Sequence, residues 1–148
     1  RKKKKYSRPR KAYDTNRIRE EDMLVEKYGL KSKREIWKAD SAIKNIRNQA
    51  KNLITASKEE QERLFNKLNN MGLKISKISD ILDLEKESWL KRRLQSVLIF
   101  RGYKPKQARQ LIAHKHVLIK GEKNNTPGHI VKIDEENKIE IKKKGGTN

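Results

Sequence analysis

Residues 89–121, WLKRRLQSVLIFRGYKPKQARQLIAHKHVLIKG, decide how this chain is read, because they spell two short helices that feed a strand. Leu90, Leu94, Val97 and Leu98 recur at i, i+4, i+7 and i+8, which places them on one buried stripe of a helix ending near Gly102. Pro105 suits the first turn of a second helix, where its missing N–H costs nothing, and Ala108, Leu111 and Ile112 then face one way. Lys106, Arg109 and Gln110 occupy the opposite arc. After His114-Lys115-His116, the apolar run Val117-Leu118-Ile119 predicts a strand, and Lys120-Gly121 turns it. The predicted unit packs two helices on a small sheet and keeps a basic face in water.

A second row runs beside the buried stripe of the first helix: Trp89, Arg93, Ser96 and Phe100. Such a mixed aromatic and basic row either stacks on bases or seals an interface. Trp89 and Phe100 are expected to seal an interface with upstream helices and Arg93 to meet a nucleic-acid partner.

Upstream, eight basic residues and no acid lie between Arg1 and Lys11. A block so charged cannot collapse on itself, so it is expected to be disordered in free solution. Its functional reading is an arm along phosphates, with Lys2, Lys3, Lys4, Arg8, Arg10 and Lys11 as contacts. A solvated tail and a localisation signal are the plainer alternatives. Asp14 to Asn16 can cap a helix that runs to Tyr28, where Gly29 is free to take the left-handed stop. Ser32 and Glu35 stand as a capping box for a long helix, in which Ile36, Trp37, Ala39, Ile43, Ile46, Ala50 and Leu53 repeat at helical spacing. The other face carries Lys33, Arg34, Lys44, Arg47 and Lys51, which spacing alone leaves open between phosphate contact and solvent. Trp37 reads as a core anchor.

Ser57 and Glu60 repeat the capping pattern ahead of a third helix marked by Leu64, Phe65, Leu68 and Met71 and ended by Gly72. Residues 73–84 read as a connector with one helical turn, Ser79 and Asp80 serving as turn or cap residues. Beyond residue 121 a turn cluster at 124–128 precedes an alternating strand at 130–133. A further turn leads to a last strand at 139–141, and residues 142–148 form a basic tail.

Charge is the outlier of the composition: 39 Lys plus Arg against 19 Asp plus Glu leave +20 on 148 residues, a field that attracts polyanions. No apolar run of the roughly 18 residues that a membrane span needs is present, which argues against a membrane role. Zero cysteines exclude disulfides and thiolate metal sites. Two histidines, His114 and His116, do not complete a tetrahedral site, and no nucleophile with an orienting carboxylate accompanies them. No catalytic residue, metal or cofactor is therefore assigned. With 33% hydrophobic residues the core is small, so stability without a partner is expected to be marginal.

The run RRLQ, RG, KPKQARQLI and His-x-His with a strand and a Gly turn resembles the RNA-binding module named after bacterial small-subunit ribosomal protein four. Residues 26–54, EKYGLKSKREIWKADSAIKNIRNQAKNLI, resemble the N-terminal helical region of the archaeal and eukaryotic form of that protein, where a KYGL-x-x-K-x-E-x-W pattern recurs. The resemblance implies an α+β fold with an N-terminal helical region packed on a small module of two helices and a short antiparallel sheet. It divides the chain into a basic arm and helical region at 1–88, the module at 89–141 and the tail at 142–148. It implies RNA contact by Arg92, Arg93, Lys104, Lys106, Gln107, Arg109, Gln110 and His116. Guanidinium forks, amides and the free N–H groups of a helix start suit that role.

Two positions depart from the family pattern. Lys115 stands where most members have Gly, so a left-handed stop there costs about 1 kcal/mol or more. Lys120 replaces the usual Asn before Gly121.

The function implied is a structural constituent of the small ribosomal subunit, cytoplasmic in the ribosome, that binds ribosomal RNA and catalyses nothing. The resemblance further implies neighbours such as ribosomal protein five and a position along the path by which messenger RNA enters. The alternative is a free-standing RNA-binding quality-control factor of the ribosome, which lacks the KYGL-type region. Enzymes that carry the module as an appendage need far more chain, and a chromatin-type DNA binder is the last rival.

Overall fold

The computed structural model describes residues 3–142, so Lys2 and residues 143–148 of the tail lie outside the described residues. Its elements run α1 (Thr15–Tyr28), α2 (Arg34–Asn52), α3 (Lys58–Asn70), α4 (Ile78–Leu82), α5 (Lys86–Leu90), α6 (Leu94–Phe100), α7 (Pro105–Ala113), β1 (Val117–Ile119), β2 (Glu122–Lys123), α8 (Ile133–Glu136) and β3 (Ile139–Ile141). The three strands form one antiparallel sheet in the order β2-β1-β3, with Leu118 opposite Glu140 and Lys123. The fold is α+β, as the sequence implies.

Local signals account for much of this. The Asp14 carboxylate accepts from the backbone N–H groups of Asn16 and Arg17 at 3.2 and 3.5 Å, closing the start of α1, and Gly29 ends that helix at φ 60. Asp80 accepts from Ser76 and Lys77 N–H groups at 3.1 Å ahead of α4. These bonds to the charged form, the one from the Ser76 N–H foremost, hold its carboxyl below the usual range. The box expected at Ser32 and Glu35 does not form. α2 starts at Arg34 with no side-chain cap, and Glu35 turns instead toward Arg93. Ser57 likewise starts α3 without a side-chain bond.

Three apolar clusters carry the packing. α6, α7, β1 and β3 enclose Leu94, Leu98, Ala108, Ile112, Val117 and Val131. α2, α3 and α4 enclose Ile43, Ala50, Leu68 and Ile81. α1, α2 and α5 enclose Tyr28, Ile36, Ala39 and Leu90. Trp89 packs against both of the last two, as an interface residue should, whereas Phe100 is 64% exposed and seals nothing. Trp37 is half-buried and donates from Nε1 to Glu21 at 3.2 Å.

The single helix expected over 89–102 is two. It breaks at residues 91–93, where Arg93 pairs as an isolated bridge with Ile130. There Leu94 N–H donates to the His129 carbonyl at 2.7 Å and Val131 N–H to the Arg92 carbonyl at 2.8 Å. The first turn of α6 thus satisfies its orphan donors on a distant loop rather than on a preceding turn. Because 130–131 is engaged here, the strand expected at 130–133 does not form, and Ile133 opens the short helix α8. The last strand stands as expected at Ile139–Ile141.

The polar residues of the RRLQS run join the clusters. Gln95, fully buried, donates from Nε2 to the carbonyls of Gly29 and Pro105 at 2.9 and 3.0 Å. Ser96 donates from Oγ to the Leu90 carbonyl at 2.7 Å. A Cβ at Gly29 would stand 2.5 Å from Pro105 Cβ and 2.7 Å from Gln95 Nε2, so this close approach needs glycine twice over. α7 closes with the paired bonds of a Schellman motif, His116 N–H to the Leu111 carbonyl at 2.9 Å and Lys115 N–H to the Ile112 carbonyl at 3.1 Å. That motif forces Lys115 to φ 60, and Lys120 stands at φ 54.

Gly29→Ala is expected to lower stability by more than about 1 kcal/mol, through left-handed strain plus the clash, and Lys115→Gly to raise it by about 1 kcal/mol. Urea unfolding midpoints of the two variants against the parent check both signs.

Candidate nucleic-acid interface

The residues expected to meet RNA fall into two sets. Lys104, Lys106, Gln107 and Gln110 are exposed, and Arg109 and His116 are half-buried, all of them in or beside α7. Lys104 precedes Pro105 as the helix cap, and its own N–H donates to Gln107 Oε1 at 3.4 Å. The first helical bond of α7 is Ala108 N–H to the Lys104 carbonyl. The N–H groups of Lys106 and Gln107 therefore have no intrahelical acceptor and reinforce the positive end of the helix dipole. Cations and free donors at one helix start make a ready surface for phosphate oxygens.

Arg92 and Arg93 differ. The structure turns both guanidinium groups toward partners within the fold. Arg92 donates from Nε to the Met71 carbonyl at 3.0 Å, from one terminal nitrogen to the Val131 carbonyl at 2.6 Å, and from the other to Glu136 Oε1 at 2.6 Å. Its guanidinium lies over Gly72, at φ 89, where any side chain would collide with it. Arg93 is 4% exposed, with Glu35 Oε2 3.6 Å from its NH2. Burial lowers its pKa, opposed by the Glu35 charge and helped by the neighbouring Arg109. The physical reason is the helix break, which points both stems into the seam between the clusters.

The basic row of α2 is partly tied down as well. Lys33 pairs with Asp22 at 3.2 Å and Lys44 with Asp40 at 3.0 Å, while Arg47 donates to the Leu84 carbonyl. Arg34 and Lys51 are exposed. Residues 3–11 of the arm have no regular secondary structure but approach α2 rather than standing free, with the Tyr6 ring 6.2 Å from that of Trp37. Within it Lys3, Lys4, Arg8, Arg10 and Lys11 are all exposed. Arg17 fastens its root, donating to the carbonyls of Lys11 and Ala12 while bridging at 2.7 Å to the buried carboxylate of Glu21. Lys5 and Lys38, which are not among the expected contacts, line the same cleft as Arg93. The unbroken lysine run at 2–5 marks the first, and nothing local marks the second. The rings of His114 and His116 are 6.2 Å apart, and no cluster of three or more metal-ligating side chains occurs among the described residues. No helix among them is long and apolar enough to cross a membrane.

Residues 92–137, which hold α6, α7 and the strands β1 and β2, match the S4 domain family. Similarity extends well beyond the module. The chain is 41% identical over 144 residues to the small ribosomal subunit protein uS4 of Methanothermobacter thermautotrophicus, covering 92% of this chain and 84% of that protein. It is 40% identical to the uS4 proteins of Korarchaeum cryptofilum, covering 93% and 87%, and of Saccharolobus solfataricus, covering 93% and 81%. The chain belongs to the uS4 family.

Next to Arg92, His129 Nε2 and Glu135 Oε2 meet at 2.9 Å. Burial pushes the Glu135 carboxyl up, but His129 and the Lys132 N–H hold it below its usual value on balance. A depressed acid contributes stability that is complete above its unfolded pKa and disappears as pH falls through the folded one. Glu135→Gln is therefore expected to flatten the loss of stability below about pH 4.3 while leaving a smaller, pH-independent deficit at neutrality. Urea midpoints measured between about pH 5 and pH 3 check it.

Proposed function

We propose that this protein is a structural constituent of the small ribosomal subunit that binds ribosomal RNA, resides in cytoplasmic ribosomes and catalyses no reaction. The observation that carries this reading is the likeness to uS4 proteins along both the helical region and the module, 92% of the chain in one case. The net charge of +20 and the exposed cations at the head of α7 support it. Lys104, Lys106 and Arg109 are the phosphate contacts, Gln107, Gln110 and His116 meet sugar and base edges, and the arm at Lys3, Lys4, Arg8, Arg10 and Lys11 follows the backbone beyond the module. Phosphate contacts of this kind fix register and give affinity, while the shape of the RNA gives selectivity.

In this reading residues 1–88 and 89–141 act as one clamp on joined RNA helices, beside neighbours such as ribosomal protein five and the path by which messenger RNA enters. The quality-control reading gains no specific observation, because the likeness covers the helical region that such factors lack.

Replacing Lys106 and Arg109 together by Gln is expected to weaken binding to small-subunit RNA. It should also flatten the dependence of log K on log salt by about 0.7 to 0.9 per lost phosphate contact. Filter binding across a salt series measures the slope, and an unchanged slope removes α7 from the interface. Co-sedimentation with the small rather than the large subunit tests the reading as a whole.

A further inference from the structure

Between α1, α2 and the start of α5 lies a groove of about 660 Å³ whose charge runs against that of the molecule. Glu20, Glu26, Asp40, Glu85 and Glu87 line it against three cations, in a chain of net charge +20. Two of those cations are engaged within the fold, Lys27 at 3.7 Å from Glu87 and Arg47 on the Leu84 carbonyl. Asp40 is paired as well, with Lys44 at 3.0 Å. Glu20, Glu26 and Glu85 are left over. All three are exposed, and none makes an ion pair among the described residues.

Apolar surface lies among these carboxylates. Met23 stands three residues from both Glu20 and Glu26 on one face of α1 and is 71% exposed, next to the buried Leu24. An unbranched thioether adapts its shape to an incoming side chain, which suits Met23 to pack against an apolar group.

The surrounding charge decides what carries that group. Three unpaired carboxylates repel phosphates, so the groove disfavours the RNA that the rest of the surface attracts. A second copy of the chain sets +20 against +20. The chain's own arm lies in a neighbouring cleft, which residues 7–10 line together with Trp37 and Asp40. A polyamine neutralises carboxylates but brings no side chain to cover Met23. A polypeptide segment that mixes lysine or arginine with apolar residues meets both demands, its cations on Glu20, Glu26 and Glu85 and its apolar side chains on Met23.

We propose that this groove is a docking site for a basic, partly apolar segment of another protein. The proposal goes beyond the RNA-binding reading and rests on it only for the setting in which such a segment is met. It gives the carboxylates of α1 and α5 a partner in a molecule otherwise built to attract polyanions.

The chain has two methionines, Met23 and Met71, so the Met23 methyl resonance in ¹H–¹³C spectra of the full chain is assigned by its loss in Met23→Leu. Three probes are titrated at matched ionic strength: a short blocked peptide of lysine and leucine, the same peptide with serine for leucine, and spermidine. The expected result is a saturable shift with the lysine–leucine peptide, at a midpoint several-fold tighter than with either other probe. The Glu20→Gln, Glu85→Gln double variant, checked for an unchanged urea midpoint, is expected to bind that peptide several-fold more weakly. A still resonance, an unaltered midpoint in the double variant or an equal response to spermidine overturns the site. A shift that grows with protein concentration alone overturns it too, by assigning the face to a second copy. Small-subunit RNA, added separately, is expected to move backbone amides of α7 and leave Met23 in place; RNA that displaces the peptide overturns the docking site. RNA that moves no amide defeats the RNA-binding reading instead, and the peptide titration still decides the groove.

Discussion

The mutual placement of the apolar clusters depends on how three polar side chains, Arg92, Gln95 and Ser96, find hydrogen-bond partners inside the molecule. They stand where the chain crosses from the cluster around Leu90 to the cluster around Leu94 and Leu98. Arg92 reaches Met71, Val131 and Glu136, Gln95 reaches Gly29 and Pro105, and Ser96 reaches Leu90. A neutral internal hydrogen bond contributes only about 1 kcal/mol net, and one to a charged group about 1.5 to 3. Losing a partner is worse, because the buried group left behind keeps its full desolvation cost. The seam therefore specifies one mutual orientation of the helical region and the module more sharply than apolar packing alone would.

That seam explains which parts of the fold were legible. Most signals that act within a few residues held, namely the Asp14 cap, the Gly29 stop, Pro105 at the head of α7, the turn at Asp80 and the strand at 139–141, though the Ser57 cap did not. Signals that compete with distant partners did not. The periodicity of Leu90, Leu94, Val97 and Leu98 is continuous, but it says nothing about carbonyls at 127–131 that take the donors of α6. Glu35 sits correctly for a capping box and is drawn off by Arg93 and Lys38. Arg92 and Arg93 look like their surface neighbours in sequence, and only the break in the helix turns them inward.

The division of cations follows from the same geometry. Lys104 and Lys106 at the head of α7 and Lys3, Lys4, Arg8, Arg10 and Lys11 of the arm are exposed and free to attract a polyanion over a Debye length of about 8 to 10 Å, with Arg109 half-buried beside them. Arg92, Arg17 and Arg47 are engaged with backbone carbonyls or carboxylates and contribute mainly to cohesion. Net charge thus overstates the number of direct contacts available to a partner. The positive φ of Lys115 is the local exception to a well-matched sequence. The Schellman bonds that end α7 require that geometry, and a lysine supplies it at a cost glycine would avoid.

The approach of Gly29 to Gln95 and Pro105 carries a consequence for biosynthesis. A chain emerging from its N-terminus has α1 and α2 outside the tunnel long before residue 105 is made, and translation at about 5 to 20 residues per second makes that interval last several seconds. During it the Gly29 carbonyl and the Glu35 carboxylate lack the partners that α6 and α7 supply, and the Leu24 to Leu30 surface lacks Leu90 as its lid. Vectorial synthesis therefore leaves apolar surface of the helical region and the polar seam without their later partners until the module has been made.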